Sequence, residues 1–144
     1  MPRSSESVVV GRPPGEVFAF VADLRNEPQW HVDITSVPPD TDPVPVVGKS
    51  YDVTFTPFMG RTDGTFTAEE VIPGSKIVYR GEMAGIRPRI TYLVEPVDGG
   101  ARFTRSVDLD LTGALLLLTP VMALMVPRRN KVFVQNLRRV LESR

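Results

Sequence analysis

The chain has 144 residues, 42% of them hydrophobic and 24% charged, with no cysteine and a formal net charge of zero. That length suits one domain, since a domain takes ~100 to 200 residues, and a chain this size buries roughly two-thirds of its unfolded surface without disulfides or structural zinc. The missing cysteines exclude thiol nucleophiles, iron–sulfur clusters and redox switches, and seventeen basic against seventeen acidic residues argue against a nucleic-acid partner.

A single domain over residues 1–144 is therefore expected. The opening MPRSSESVVVG has no long apolar run followed by small residues, so it does not read as a secretory signal, and a cytoplasmic location is expected.

Glu6 to Gly11 is a short apolar run that predicts a first strand. Proline in the first-turn region, then Val17, Phe18, Phe20, Val21 and Leu24 at helical spacing, predicts a helix of about ten residues ending near Asp23. Asn26 to His31 follows as a second short helical turn with Pro28 near its start. Ile34 to Val37 is a weak strand candidate, and Pro38 to Gly48, with four prolines and two aspartates, is a loop.

From Tyr51 the period changes to two. Tyr51, Val53 and Phe55 face one way against Asp52, Thr54 and Thr56; Phe66 and Ala68 repeat the pattern, and so do Ile77 with Tyr79 and Ile90 with Tyr92 and Val94. Pro73-Gly74-Ser75 and Asp98-Gly99-Gly100 read as turns and Gly81 to Gly85 as a break. Phe103, Val107, Leu109 and Leu111 share one parity in the last strand. Short turns favour an antiparallel meander whose apolar face needs a cover.

The C-terminal helix is the only predicted element long enough to supply that cover. It begins between Gly113 and Pro120, with Thr119-Pro120 suited to a cap and first position, and Pro127 is expected to kink or restart it. Its last part sets Phe133, Leu137, Val140 and Leu141 on one stripe.

The order of strand, helix, short helix, curved meander and long terminal helix resembles the helix-grip fold, an α+β architecture. PPGEVFAFVADLRNEPQWHVDITSV (Pro13 to Val37) is similar to the opening signature of the polyketide cyclase/dehydrase branch of the START and Bet v 1-like superfamily. TYLVEPVDGGARFTRSVDLDLTG (Thr91 to Gly113) looks like that family's last hairpin and exit glycine, and NLRRVLESR like its terminal helix. The resemblance implies a cavity between sheet and long helix that takes a hydrophobic or amphipathic small molecule, a lipid or a polyketide-like compound. Some family members cyclise and dehydrate polyketides and others carry ligands, and fold alone does not choose between them.

Strand parity selects the polar groups that point inward. Tyr51, Tyr79, Tyr92 and Arg105 lie on that phase, with Glu70 the least secure of the set. Arg105 interrupts an apolar run, and a buried guanidinium is costly unless it is paired or faces water or a ligand. Alone or with Glu70 beside it, Arg105 suits a carboxylate, enolate or carbonyl oxygen at the cavity floor; a bulge near Ala101 or a snorkelling side chain would remove that role. The tyrosines would donate to a ligand carbonyl or act as weak acids, and core packing is the plainer account of each.

His31 is the sole histidine and the obvious base candidate, against the plainer reading of a surface residue on a turn. The catalytic candidates are thus Arg105, Tyr79, Tyr92 and His31. Trp30, Tyr51, Phe55, Phe66, Phe103 and Met122 join them, with Glu70, as expected ligand-facing residues.

One histidine and no cysteine leave little for a metal site, and no Gly-x-Gly-x-x-Gly or Walker-type loop occurs, so no cofactor is expected. GALLLLTPVMALMVP (Gly113 to Pro127) is too short and broken by proline to span a bilayer, which takes ~20 residues. It admits three readings: cavity lining, a homodimer contact, or a membrane-surface contact helped by Arg128, Arg129 and Lys131.

Overall fold

The computed structural model describes residues 3–111 and 113–144. Met1, Pro2 and Thr112, which belong to the expected domain and in the last case to the quoted hairpin run, lie outside the described residues.

The chain forms β1 (Arg3–Val10), α1 (Pro14–Ala22), a 3-10 turn (Leu24–Asn26), α2 (Glu27–Trp30) and β2 (Ile34–Ser36). Then follow β3 (Ser50–Phe58), β4 (Arg61–Ile72), β5 (Lys76–Met83), β6 (Arg89–Val97), β7 (Gly100–Asp108), a second 3-10 segment (Gly113–Leu118) and α3 (Thr119–Glu142). The strands make one seven-stranded antiparallel sheet in the order β1-β7-β6-β5-β4-β3-β2. This is the helix-grip fold, a curled sheet gripping a long C-terminal helix.

Local sequence explains the first helix. Pro14 opens α1 where its missing N–H is harmless, and the Pro13 carbonyl accepts from Glu16 and Val17 at 3.0 and 3.2 Å. At Asp23 the backbone turns extended, and the Asp23 carboxylate accepts from the Arg25 N–H, which starts the 3-10 turn. Val17, Phe18, Phe20 and Val21 are buried over β6 and β7, so α1 shares with α3 the cover that the sequence assigned to α3 alone.

Four boundaries differ from expectation. β1 starts at Arg3 because its outer face carries hydroxyls rather than apolar groups: Ser5 meets Ser106 and Ser7 meets Thr104 across the β1–β7 pair at 3.0 and 2.7 Å. β5 runs on to Met83, and the break narrows to Ala84 and Gly85, both at positive φ. Leu118, not Thr119, holds the cap position of α3, and the Thr119 hydroxyl donates to the Leu116 carbonyl instead. α3 passes through Pro127 unbroken, because Met122, Asn130 and Phe133 on either side are buried against the sheet and hold both halves in place.

The parity expectation for Glu70 fails at a bulge. Pairing steps from Ala68↔Tyr79 to Glu70↔Val78, which leaves Glu69 extra and exchanges the two faces beyond it. Glu70 is exposed and pairs with Lys76 at 3.2 Å on the sheet's outer surface, while Val71 takes the inward place. No bulge occurs near Ala101; the β6–β7 register is continuous from Arg89↔Asp108 to Val97↔Gly100, so Arg105 faces inward. No helix among the described residues is long and apolar enough to cross a membrane.

Candidate functional site

The inner face is divided between a filled end and an open one. At the filled end Trp30 is fully buried against Tyr92 and Phe103, and the rings of Phe66, Tyr79, Tyr92 and Phe103 continue from it at centroid separations of 5.3 to 5.6 Å. At the open end lies a cleft of about 340 Å³ between the first half of α3 and strands β3, β6 and β7. Phe55, Phe58, Ile86, Ile90, Val107, Leu109, Met122 and Val126 give it apolar walls; His31, Asp33, Arg105, Arg129 and Asn130 make its polar end.

This division sorts the expected residues. His31, Phe55, Arg105 and Met122 line the cleft. Trp30, Phe66, Tyr79, Tyr92 and Phe103 sit in the packed aromatic cluster behind it. Tyr51 is turned to the β2–β3 loop, where its hydroxyl donates to Asp42 at 2.7 Å and accepts from the Val46 N–H at 2.8 Å. Glu70 is on the opposite side of the sheet.

Arg105 is 4% exposed and stands between rings, its guanidinium carbon 5.1 Å from the Phe133 centroid and 6.0 Å from that of Tyr92. Its Nη1 donates to Asn130 Oδ1 at 3.0 Å, and its Nε has no acceptor among the described residues. No carboxylate among them forms an ion pair with it. A cation is thus held in a largely apolar wall with part of its donor capacity unused.

His31 is buried as well, not a surface residue. Its Nδ1 is 2.7 Å from Glu27 Oε2, and the Tyr92 hydroxyl donates to Glu27 Oε1 at 2.9 Å. Burial pushes the Glu27 carboxyl up to about 8, although the Arg105 charge and the Tyr92 hydrogen bond pull the other way. Burial, followed by the Arg105 charge, holds the His31 imidazole well below its ordinary 6.5. Both shifts favour the uncharged pair, a protonated carboxyl beside a neutral imidazole.

At the rim, Arg129 on α3 forms a two-pronged pair with Asp33, its Nε donating to Asp33 Oδ2 at 3.2 Å and its Nη2 to Oδ1. That pair ties the turn before β2 to the helix across the polar end. Among the described residues no cluster of three His, Asp or Glu side chains is placed to hold a metal ion.

Glu27 and Asn130 escaped the reading of the sequence. Glu27 opens α2 and His31, four residues on, caps its C-terminal end, a spacing that brings both side chains to one face. Asn130 is three residues before Phe133 and seven before Leu137, on the buried stripe of α3. Both signals were present in the spacing.

A comparison with curated proteins gives no match. Among solved structures, a protein from Rhodobacter sphaeroides superposes with a TM-score of 0.74 at 17% identity, covering 99% of this chain and 93% of its own. A protein from Thermus thermophilus gives 0.72 at 15% identity, over 99% and 98%. Ara h 8.0201 gives 0.69 at 17% identity over the same shares. At such identities these likenesses speak to fold alone. The sequence, however, matches the family described as polyketide cyclase / dehydrase and lipid transport over residues 1–142, and the chain belongs to that family.

Proposed function

We propose that the protein binds a hydrophobic or amphipathic small molecule, a lipid or polyketide-like compound, in the cleft between α3 and the sheet. One observation carries the reading: an apolar cleft of about 340 Å³, within the ~300 to 1,000 Å³ range of ligand pockets, has the buried Arg105 cation in its wall. Apolar walls with one charged group favour a ligand with a long apolar part and one polar end.

Native mass spectrometry of protein purified from its own host tests this. A retained adduct, lost on denaturation, supports the reading and identifies the ligand class. A bare chain that also fails to take up a fluorescent fatty acid rejects it.

A cyclase/dehydrase activity is the alternative the family description supports. Tyr79 and Tyr92 lie outside the cleft, so proton transfer would fall to His31 with Arg105 polarising a carbonyl.

The apolar segment 113–127 favours a surface contact in addition. Leu117 is 83% exposed, Leu116, Val121 and Leu124 are exposed near it, and Arg128 continues the Val121–Leu124 stripe at helical spacing. Apolar residues bordered by basic ones complement an anionic lipid surface.

A further inference from the structure

The hydrogen bonds behind the cleft run in one direction. Tyr92 donates to Glu27 Oε1, Glu27 Oε2 lies 2.7 Å from His31 Nδ1, and with burial favouring the neutral form of both groups the Glu27 carboxyl is the donor of that contact. An imidazole that accepts at Nδ1 carries its own proton at Nε2. His31 therefore offers a donor, not a base, to the cleft it lines. Beside it in the wall of the same cleft Arg105 keeps its charge without a carboxylate partner, its Nη1 held by the neutral Asn130 Oδ1 and its Nε–H buried.

We propose that the cleft takes an amphipathic carboxylate, its head group held between Arg105 and His31 and its chain laid along Phe55, Ile90, Val107 and Met122. A carboxylate accepts only, which matches a cation without a counter-charge beside an imidazole donor; an alcohol or an ester would leave the guanidinium without a counter-charge. This rests on the cleft being a ligand container, and adds to it the chemistry of the head group.

The arrangement has a pH consequence. The groups facing the Glu27–His31 pair are Arg105 from β7, Tyr92 from β6, Tyr79 from β5, Asp33 after α2 and Arg129 from α3. When Glu27 ionises, Nδ1–H must donate to it, the proton leaves Nε2, and the lone pair turned to the cleft repels a carboxylate. The new anion also competes for Arg105. Both effects weaken binding above the Glu27 transition.

Isothermal titration with decanoate and with 1-decanol, at about pH 6.5 and about pH 9 on either side of that transition, tests the inference. Decanoate, ionised at both, should bind at least about tenfold more tightly than 1-decanol at the lower pH, as charge-assisted hydrogen bonds require. The preference should shrink several-fold at the higher pH in the native protein. Glu27→Gln, which keeps an acceptor for Tyr92 and a donor for Nδ1 but cannot ionise, should retain it.

Equal affinity for the two probes at the lower pH overturns the carboxylate assignment and leaves the container reading standing. A preference that persists undiminished at the higher pH in the native protein removes His31 from the head-group site. Failure of both probes to bind removes the container reading itself.

Discussion

Asn130 holds Arg105 at two points: its Oδ1 accepts from the guanidinium Nη1 at 3.0 Å, and its Nδ2 donates to the Arg105 carbonyl at 2.8 Å. The same nitrogen reaches Ser4 Oγ at 3.1 Å, so one amide on α3 binds the helix to β7 and β1. Asn130→Ala removes the guanidinium's neutral partner while leaving its charge buried, and a loss of about 2 to 4 kcal/mol is expected in urea unfolding. Arg105→Met should leave stability unchanged or raise it, since it removes a desolvated cation and keeps the packing between Tyr92 and Phe133. Its ligand affinity should fall. A loss of several kcal/mol in Arg105→Met with ligand binding intact would make Arg105 a structural pair of Asn130 instead.

Stability should depend on pH through Glu27 and His31, with opposite signs. Glu27 has a folded value of about 8 against 4.5 unfolded, so its contribution is fully present below about pH 4.5 and declines until about pH 8. His31 is depressed from 6.5, so its contribution is present above about pH 6.5 and is lost as the pH falls. Between about 4.5 and 6.5 the two slopes oppose each other. From about 6.5 to 8 only Glu27 acts, and stability should fall by about 2 kcal/mol. Glu27→Gln should abolish that upper limb, read as a flat Tm from neutral to mildly alkaline pH. A native Tm that rises over this window would contradict a buried, protonated Glu27.

Tyr79 and Tyr92 present the same phenol with opposite accounts. The Tyr92 hydroxyl donates to Glu27, whereas the Tyr79 hydroxyl is buried with no partner among the described residues. Tyr79→Phe should stabilise the fold by about 1 kcal/mol and leave ligand binding unchanged; Tyr92→Phe should cost about 1 to 2 kcal/mol by stripping an acceptor bond. Thermal melts of the two variants decide it, and a destabilised Tyr79→Phe would mean that its hydroxyl is satisfied by water.

Much of this is readable from residue order alone. The period-two runs at Tyr51-Val53-Phe55 and Phe103-Arg105-Val107 give the inward side chains, and Arg105 stands out because nothing else on the inward phase of its own strand is charged. What parity does not encode is where along the inner face the space lies. Tyr79, Tyr92 and Phe103 share the phase of Ile90 and Val107, yet Trp30 and α2 press only on the former and leave the latter to the cleft. That depends on a contact between segments some sixty residues apart. Glu70 was misplaced for a local reason, because a one-residue bulge at Glu69 carries no signature in side-chain type. Glu27 carries a single sequence signal, its spacing of four residues to His31.

The exposed apolar strip makes the last prediction. Val121, Leu124 and Arg128 fall at i, i+3 and i+7, so two apolar side chains and a cation share one face of α3, and Leu117 precedes them on the 3-10 segment. Met122, Met125 and Val126 of the same stretch of α3 line the cleft, which puts the strip beside it. Burial of apolar surface at ~25 cal/mol per Å² and attraction of about 1 kcal/mol per basic residue at an anionic surface act together there. Sedimentation with vesicles should therefore show binding to phosphatidylserine-containing bilayers, weaker on neutral ones and weakened by salt. Leu117→Glu with Leu124→Glu should reduce that binding at least about tenfold while Tm and decanoate affinity stay unchanged. If the native protein ignores both kinds of vesicle but runs as a dimer that the double variant splits, the strip is a contact between two copies. If neither property responds, the strip has no docking role, and what the segment contributes is the packing of its neighbours Leu115 and Leu118 against Ile86, Val107, Leu109, Leu111 and Met122.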